Sequence, residues 1–277
     1  GFITWMLLVF GNIELEEVKL SVLDLTPIEV RSNLIPNFSF EEVKPDGLPA
    51  RWLWSRRNTD ATCSPDDTVS HSGNRSLKFT NGTPFGAHVY GTLWLSEPIR
   101  LQPGRTYTLS AYVRSDAPGI AWIGGGRNWR IRLRFPKSPG KWKRIWTSFV
   151  PSEEERLFTL RVVTESPTEG FWIDDLKLEE GEEPTLCRPI DERWLLEPLH
   201  PEMEIEGDGP FEVRFDLWAP QEAELKLTAS LNRPSRTVSR RVSIRRGAWR
   251  VRIAGEASRA DDRPRRLSIR LSRDDEE

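Results

Sequence analysis

The side chains in this sequence whose type and spacing could do chemistry are aromatic rings at alternate positions along apolar runs. Leu93 and Leu95, and then Leu109, Ala111 and Val113, recur at every second position, the period of a half-buried strand. If those residues face a core, Tyr90, Thr92 and Trp94 face the other way, and so does Tyr112. The same alternation sets Trp146 opposite Ile145 and Phe149. Trp122 and Trp129 flank a run of Gly124, Gly125, Gly126 and Arg127, where missing side chains let a ligand approach the backbone. Rings on a solvent face offer flat apolar surface for stacking. Arg127, Asn128, Arg130 and Glu97 are the nearest polar partners. Against this stands the plainer role, since a Trp in a β-sandwich more often packs than faces a ligand. Trp172 is read as packed because it shares a face with Leu176 and Leu178 if the alternation runs unbroken.

Catalytic chemistry finds little to work with. The three His residues stand isolated at 71, 88 and 200, and there is no H-E-x-x-H, paired-Cys, G-x-S-x-G or P-loop motif. A glycosidase needs two facing carboxylates at a defined separation, and 42 acids supply chance candidates without marking a pair. The 40 basic and 42 acidic side chains nearly cancel, so no overall field attracts nucleic acid or an anionic membrane. Mean hydropathy of −0.53 describes a water-soluble surface. Cys63 and Cys187 are too few to staple a scaffold, and whether they pair depends on the compartment.

The elements that must position these residues are strands. Phe135, Phe158, Leu160 and Val162 extend the two-residue period, and Pro45–Asp46–Gly47, Ser72–Gly73–Asn74, Pro103–Gly104 and Pro139–Gly140 separate the runs with turn chemistry. Short strands at regular spacing predict an antiparallel sandwich. The 277 residues leave room for two domains. The apolar run Phe2 to Phe10 is too short to span a bilayer and carries no cleavage pattern, so no membrane span is expected. Leu15 to Leu20 and Ile173 to Leu178 share the order apolar, acid, acid, apolar, Lys, Leu. That match predicts that residues 1–32 are terminal strands or the remnant of a preceding β module.

Six segments then carry a family resemblance: NLIPNFSFEE from Asn33, GLPARW from Gly47, HSGNRSLKF from His71, IRLQPGRTYTLSAYVRS from Ile99, GKWKRIWTSF from Gly140 and GFWIDDLKLEEG from Gly170. In this order they resemble the carbohydrate-binding modules of families 4, 9, 16 and 22, over residues 33–185. The resemblance implies a jelly-roll β-sandwich whose concave face or rim holds a β-linked polysaccharide such as β-glucan or xylan. On that reading, Tyr90, Trp94, Tyr112, Trp122, Arg127, Trp129 and Trp146 form the binding set, because a sugar's apolar face stacks on an aromatic ring. Trp52 and Trp142 lie in the family's structural motifs and are assigned to the core. The resemblance also implies a structural Ca²⁺ where the first and last strands meet, with Glu41, Asp174 and Asp175 as oxygen ligands and Asp67 or Asp66 completing the shell.

Beyond Pro184 the resemblance stops, while alternation resumes at Phe211, Val213, Phe215 and Leu217 and continues to Leu271. Residues 186–277 are expected to form a smaller immunoglobulin-like sandwich, its many Arg residues lying on the solvated face. The whole reads as the non-catalytic part of a secreted or cell-surface carbohydrate-active protein, attached to a glycoside hydrolase. The competing class is a structural or adhesion array that keeps the sandwich and has no sugar site.

Overall fold

The computed structural model describes residues 3–9, 19–199, 209–232, 235–257 and 265–273. Most of the first copy of the repeat motif, residues 15–18, lies outside them, as do His200 and the closing acids 274–277. Two opening strands, β1 (Ile3–Val9) and β2 (Lys19–Ile28), precede a central series. That series runs β3 (Trp52–Arg57), β4 (Thr62–Asp66), β5 (Ser76–Asn81), β6 (Tyr90–Leu95), β7 (Ile99–Arg100), β8 (Tyr107–Ser115), β9 (Ala121–Gly125), β10 (Ile131–Arg134), β11 (Lys143–Phe149), β12 (Leu157–Phe158), β13 (Arg161–Thr164) and β14 (Thr168–Glu180). Six more follow: β15 (Leu195–Pro198), β16 (Gly209–Ala219), β17 (Ala223–Asn232), β18 (Ser235–Ile244), β19 (Gly247–Ala257) and β20 (Arg265–Arg273). The helical turns among the described residues are two short 3-10 segments, Arg127–Trp129 and Glu153–Glu155. The fold class is all-β, as the alternation predicts.

Residues 31–191 form one compact unit. Its two five-stranded antiparallel sheets run β10-β9-β13-β6-β3 and β11-β8-β14-β5-β4, with β12-β7 as a small third pair. The core between them takes alternate residues from each sheet: Trp52, Leu93, Leu95, Ile123, Ile131, Leu133 and Val162 from one, and Leu77, Phe79, Leu109, Ala111, Val113, Phe171 and Ile173 from the other. Phe79 and Phe171 stack at 4.7 Å in its middle. Burying each such side chain contributes roughly 1.5–3 kcal/mol relative to leaving it in water.

One strand breaks the alternation. In β14, Phe171 and Ile173 face the core, and the register against β8 shifts between Asp174 and Lys177, with Asp175 at φ 45°. This bulge inserts one residue and exchanges the faces beyond it. Leu176 and Leu178 therefore reach the core, while Trp172 points away from it and donates Nε1 to Asp66 Oδ2 at 2.8 Å. Lys78 and Arg114 lie over its ring. Trp172 thus shares no face with Leu176 and Leu178, contrary to the unbroken pattern.

The second unit comprises residues 1–30 and 192–277. Its sheets run β1-β20-β17-β18 and β15-β16-β19-β2, and Val213, Phe215, Leu217, Leu225, Leu227, Val251, Ile253, Leu267 and Ile269 fill the space between them. The opening strands therefore belong with the C-terminal ones. β1 pairs antiparallel along all of its length with β20, and β2 with β19.

Candidate functional site

The outward face of the sheet β10-β9-β13-β6-β3 gathers most of the expected residues. Pairing registers put Leu53, Trp94, Arg161, Gly124 and Arg132 in one row across the strands, and Ser55, Thr92, Val163, Trp122 and Arg134 in the next. Tyr90 lies one step further along β6. Trp129 arrives from the turn after β9, its ring 5.7 Å from that of Trp122 and tilted by 57°. Arginines interleave with the rings: the Arg161 guanidinium carbon lies 4.7 Å from the Trp129 centroid and 6.0 Å from that of Trp94, and that of Arg132 lies 4.7 Å from Trp122. Trp122 is consequently only 3% exposed, whereas Trp129 is 39% exposed and Tyr90 and Trp94 are half-buried.

The turn that presents Trp129 is built around Glu155. Gly126 (φ 77°), Asn128 (φ 51°) and Trp129 (φ 57°) adopt left-handed backbone, a conformation that needs external support at a non-Gly residue. Glu155 supplies it. Its Oε1 accepts from Arg127 N at 2.8 Å and Arg130 Nε at 2.7 Å, its Oε2 accepts from Ser152 N at 3.0 Å, and Arg130 closes a second bond to Oε2. The Arg130 guanidinium, with these backbone donors, pulls the Glu155 carboxyl down to about 2. Arg127 pairs with Glu154 at the surface. Beside this turn an open pocket of about 390 Å³ is bounded by Arg127, Trp129, Leu157, Thr159 and Arg161.

The glycine run has a local cause. A Cβ on Gly124 would fall 1.9 Å from Ile131 O, one on Gly125 2.5 Å from Thr159 O, and one on Gly126 2.6 Å from Glu155 Oε1. Close approach of the protein's own neighbouring chain requires glycine there. Of the other expected polar partners, Arg130 is committed to Glu155, and Glu97 meets Arg51 at 3.8 Å in the turn after β6.

Tyr112 and Trp146 do not join this face. Both lie on the opposite sheet, where β11 pairs with β8. Alternation does turn Tyr112 away from the core, yet the ring is only 1% exposed, stacked on His71 at 3.7 Å. Trp142, assigned to the core by resemblance, instead sets its half-buried ring edge-on to His71 at 5.9 Å. Around this spot residues 185–187 cover a buried polar layer. Lys177 Nζ donates to Thr185 Oγ1 at 2.6 Å and Leu186 O at 3.0 Å, Thr185 N donates to Glu179 Oε1 at 2.7 Å, and Arg144 bonds Thr185 O. Cys187 and Cys63 are buried free thiols whose burial pushes both well above the usual thiol range.

Three of the acids expected to hold calcium gather around one turn. Glu41 Oε1 accepts from Asn74 N at 2.8 Å and Arg75 N at 3.1 Å, while Asp174 Oδ2 accepts from His71 N at 2.7 Å and Ser72 N at 3.3 Å. Asp175 takes His71 Nδ1 at 2.7 Å and Ser72 Oγ at 3.0 Å. Three of the four carboxylates thus brace the same 71–75 turn, but as hydrogen-bond acceptors. Burial, and next the charge of Asp175, hold the Asp174 carboxyl well above its ordinary value. Asp67 is exposed, and Asp66 is occupied by Thr68 and Trp172. Among the described residues no group of three or more His, Cys, Asp or Glu could hold a metal.

Sequence reasoning missed Arg161 and Arg132. Both were legible as outward positions, since Leu160, Val162, Ile131 and Leu133 take the core side.

Comparison with known proteins bears on the same region. A search of curated proteins finds no match. Similar solved structures include the enzymatically active domain of tailspike protein 4 of bacteriophage CBA120, at 14% identity and TM-score 0.40, covering 54% of this chain and 21% of that one. This chain thus spans about a fifth of the tailspike's length. The CBM22-1 xylan-binding domain of Paenibacillus barcinonensis Xyn10C aligns at 14% identity and TM-score 0.38, covering 56% of this chain and 98% of that one. TmCBM61 in complex with β-1,4-galactotriose aligns at 16% identity and TM-score 0.38, covering 54% and 99%. The family profile described as a carbohydrate binding domain, of the CBM 4/9 type, matches residues 32–170. That span holds every strand from β3 to β13 and with them the whole aromatic face, so the chain belongs to this family of carbohydrate-binding domains.

Proposed function

We propose that the unit 31–191 binds a β-linked polysaccharide, a glucan or xylan, along the outward face of β10-β9-β13-β6-β3. The observation that carries this reading is the convergence of Tyr90, Trp94, Trp122 and Trp129 on one face of one sheet. A sugar ring stacks its apolar C–H face on an exposed indole, and the guanidinium groups between the rings donate to its hydroxyls. Trp129 and Trp94 are the platforms, because Trp122 is roofed by Trp129 and Arg132 and serves to support them. The same proposal places the chain in a secreted or cell-surface protein, where tethering to the polymer raises the local concentration of an attached glycoside hydrolase.

Affinity electrophoresis in xylan and β-glucan gels, paired with thermal melting, tests it. Trp129→Ala and Trp94→Ala are expected to lose retardation while keeping the melting temperature to within what a surface change allows, about 0.5 kcal/mol. Tyr112→Ala should do the reverse, retaining retardation and losing roughly 3–5 kcal/mol of stability as a buried ring is removed. Unchanged retardation in both Trp variants would sink the assignment of the face.

A further inference from the structure

The rings on this face are interleaved with positive charge that has no counter-ion among the described residues. Arg161 stands at the centre of the sheet, between Trp94 and Trp129, and Arg132 lies over Trp122. Arg134 follows two residues along β10, and Arg57 sits beside Tyr90 on β3. Among the described residues none of these four arginines forms a hydrogen-bonded ion pair, whereas Arg127 and Arg130 at the rim are paired with Glu154 and Glu155. One acid, Glu165, continues the outward series of Arg161 and Val163. The face is therefore net cationic although the chain carries a net charge of −2.

Two donors on it are also unanswered. Arg161 Nε and Trp122 Nε1 are buried and have no hydrogen-bond partner among the described residues. Buried donors are nearly always satisfied, because leaving one unsatisfied forfeits its hydration with nothing in return. A guanidinium lying over indole faces is partly desolvated and fixed in plane, which prepares it for the two parallel N–H···O bonds that a carboxylate accepts. A neutral sugar hydroxyl accepts from one of those donors and leaves the other unmatched.

We propose that this face selects an anionic glycan, one whose chain carries uronate carboxylates or sulfate esters, with Arg161 as the central anion contact and Arg132 and Arg134 beside it. This rests on the reading of the face as a sugar site and narrows it. The aromatic rings hold the apolar faces of the sugars while the arginines between them take the charged substituents, so spacing along the polymer is read as well as charge.

The test is titration of the full chain with glucuronoxylan, the same polymer after carboxyl reduction, dextran sulfate, and polyphosphate as a non-sugar polyanion. At least tenfold tighter binding to glucuronoxylan than to its reduced form is expected, or to dextran sulfate where sulfate is the group read. In either case polyphosphate binds more weakly. Arg161→Gln should erase the preference for the anionic polymer, bringing the affinities for glucuronoxylan and its reduced form to within about twofold of each other, with Arg132→Gln giving a smaller loss of preference. Equal binding of glucuronoxylan and its reduced form, with none to dextran sulfate, overturns the anionic preference and leaves the neutral-polysaccharide reading standing. Polyphosphate binding as tightly as any glycan overturns it in favour of a general polyanion surface. No binding to any sugar polymer overturns both.

Discussion

Glu155 shows how much a single acid at the edge of a sheet can decide. It serves four donors at once, and three of them set the turn that carries Trp129. Because its folded pKa is depressed to about 2 from an ordinary 4.5, the stability it lends is present in full above the ordinary value and is lost as pH falls from there towards 2. Tryptophan fluorescence of the free protein should therefore change over that window, as Trp129 leaves Trp122, and Glu155→Gln should bring the acid-released spectrum to neutral pH. An identical acid transition in the Gln variant would show that another group governs it. At this scale the sequence was legible in part. Alternation with Leu93 and Leu95 puts Tyr90 and Trp94 on the outer face. It assigns Tyr112 outward by the same logic, and there the inference ends, because a two-residue period says which side a ring takes and not what covers that side. His71 stacks on that ring and the Arg144 guanidinium lies over it. Arg161 had the complementary difficulty: its flanking rings come from strands distant in the chain, and no local pattern announces them.

Among the elements, β14 departs furthest from its local pattern. Without the bulge at Asp174–Leu176, the core-facing series Phe171, Ile173 would continue through Asp175, Lys177 and Glu179, and three charged groups would enter the space now filled by Leu176 and Leu178. Desolvating them without partners costs several kcal/mol each. Deleting Asp175 alone restores the plain period with Leu176 and Leu178 still on the core face and Lys177 still opposite Ser110, so that variant is expected to melt cooperatively by circular dichroism, at a temperature lowered by loss of the bonds to His71 and Ser72. Asp175→Asn preserves the residue count, tolerates the positive φ and keeps an oxygen for Ser72 Oγ, so it should fold with a lowered melting temperature. A deletion variant that loses cooperative melting would mean that the order of residues in the strand does not by itself sort the two faces. The paired acids Asp174 and Asp175 were visible in the sequence, and the family pattern attached them to a cation. Their carboxylates bond the backbone and side chains of the 71–75 turn, a role that an acidic pair cannot announce.

For the whole molecule, the chain order is an insertion. Residues 31–191 interrupt a sandwich whose strands come from both ends, six from 192–277 and two from 1–30. The alternation made the opening segment readable as strands. Its partners were not readable, because antiparallel pairing across more than two hundred residues of chain leaves no local mark, and the repeat motif pointed to a preceding module instead. The pairing has a thermodynamic consequence. Without β1 and β2, β20 and β19 each present an open row of N–H and C=O groups, a template for edge-to-edge association. A fragment of residues 192–277 is therefore expected to aggregate or to give a collapsed amide proton spectrum. Joining residues 1–30 to 192–277 through a short Gly/Ser linker should restore dispersion and a cooperative melt. Residues 31–191 keep all the strands of their two sheets, so that fragment should melt cooperatively by itself and retain polysaccharide retardation. If 192–277 alone gives a dispersed spectrum and a melting temperature equal to that of the linked form, β1 and β2 add nothing to the fold of the second unit, and the insertion describes only the path of the chain.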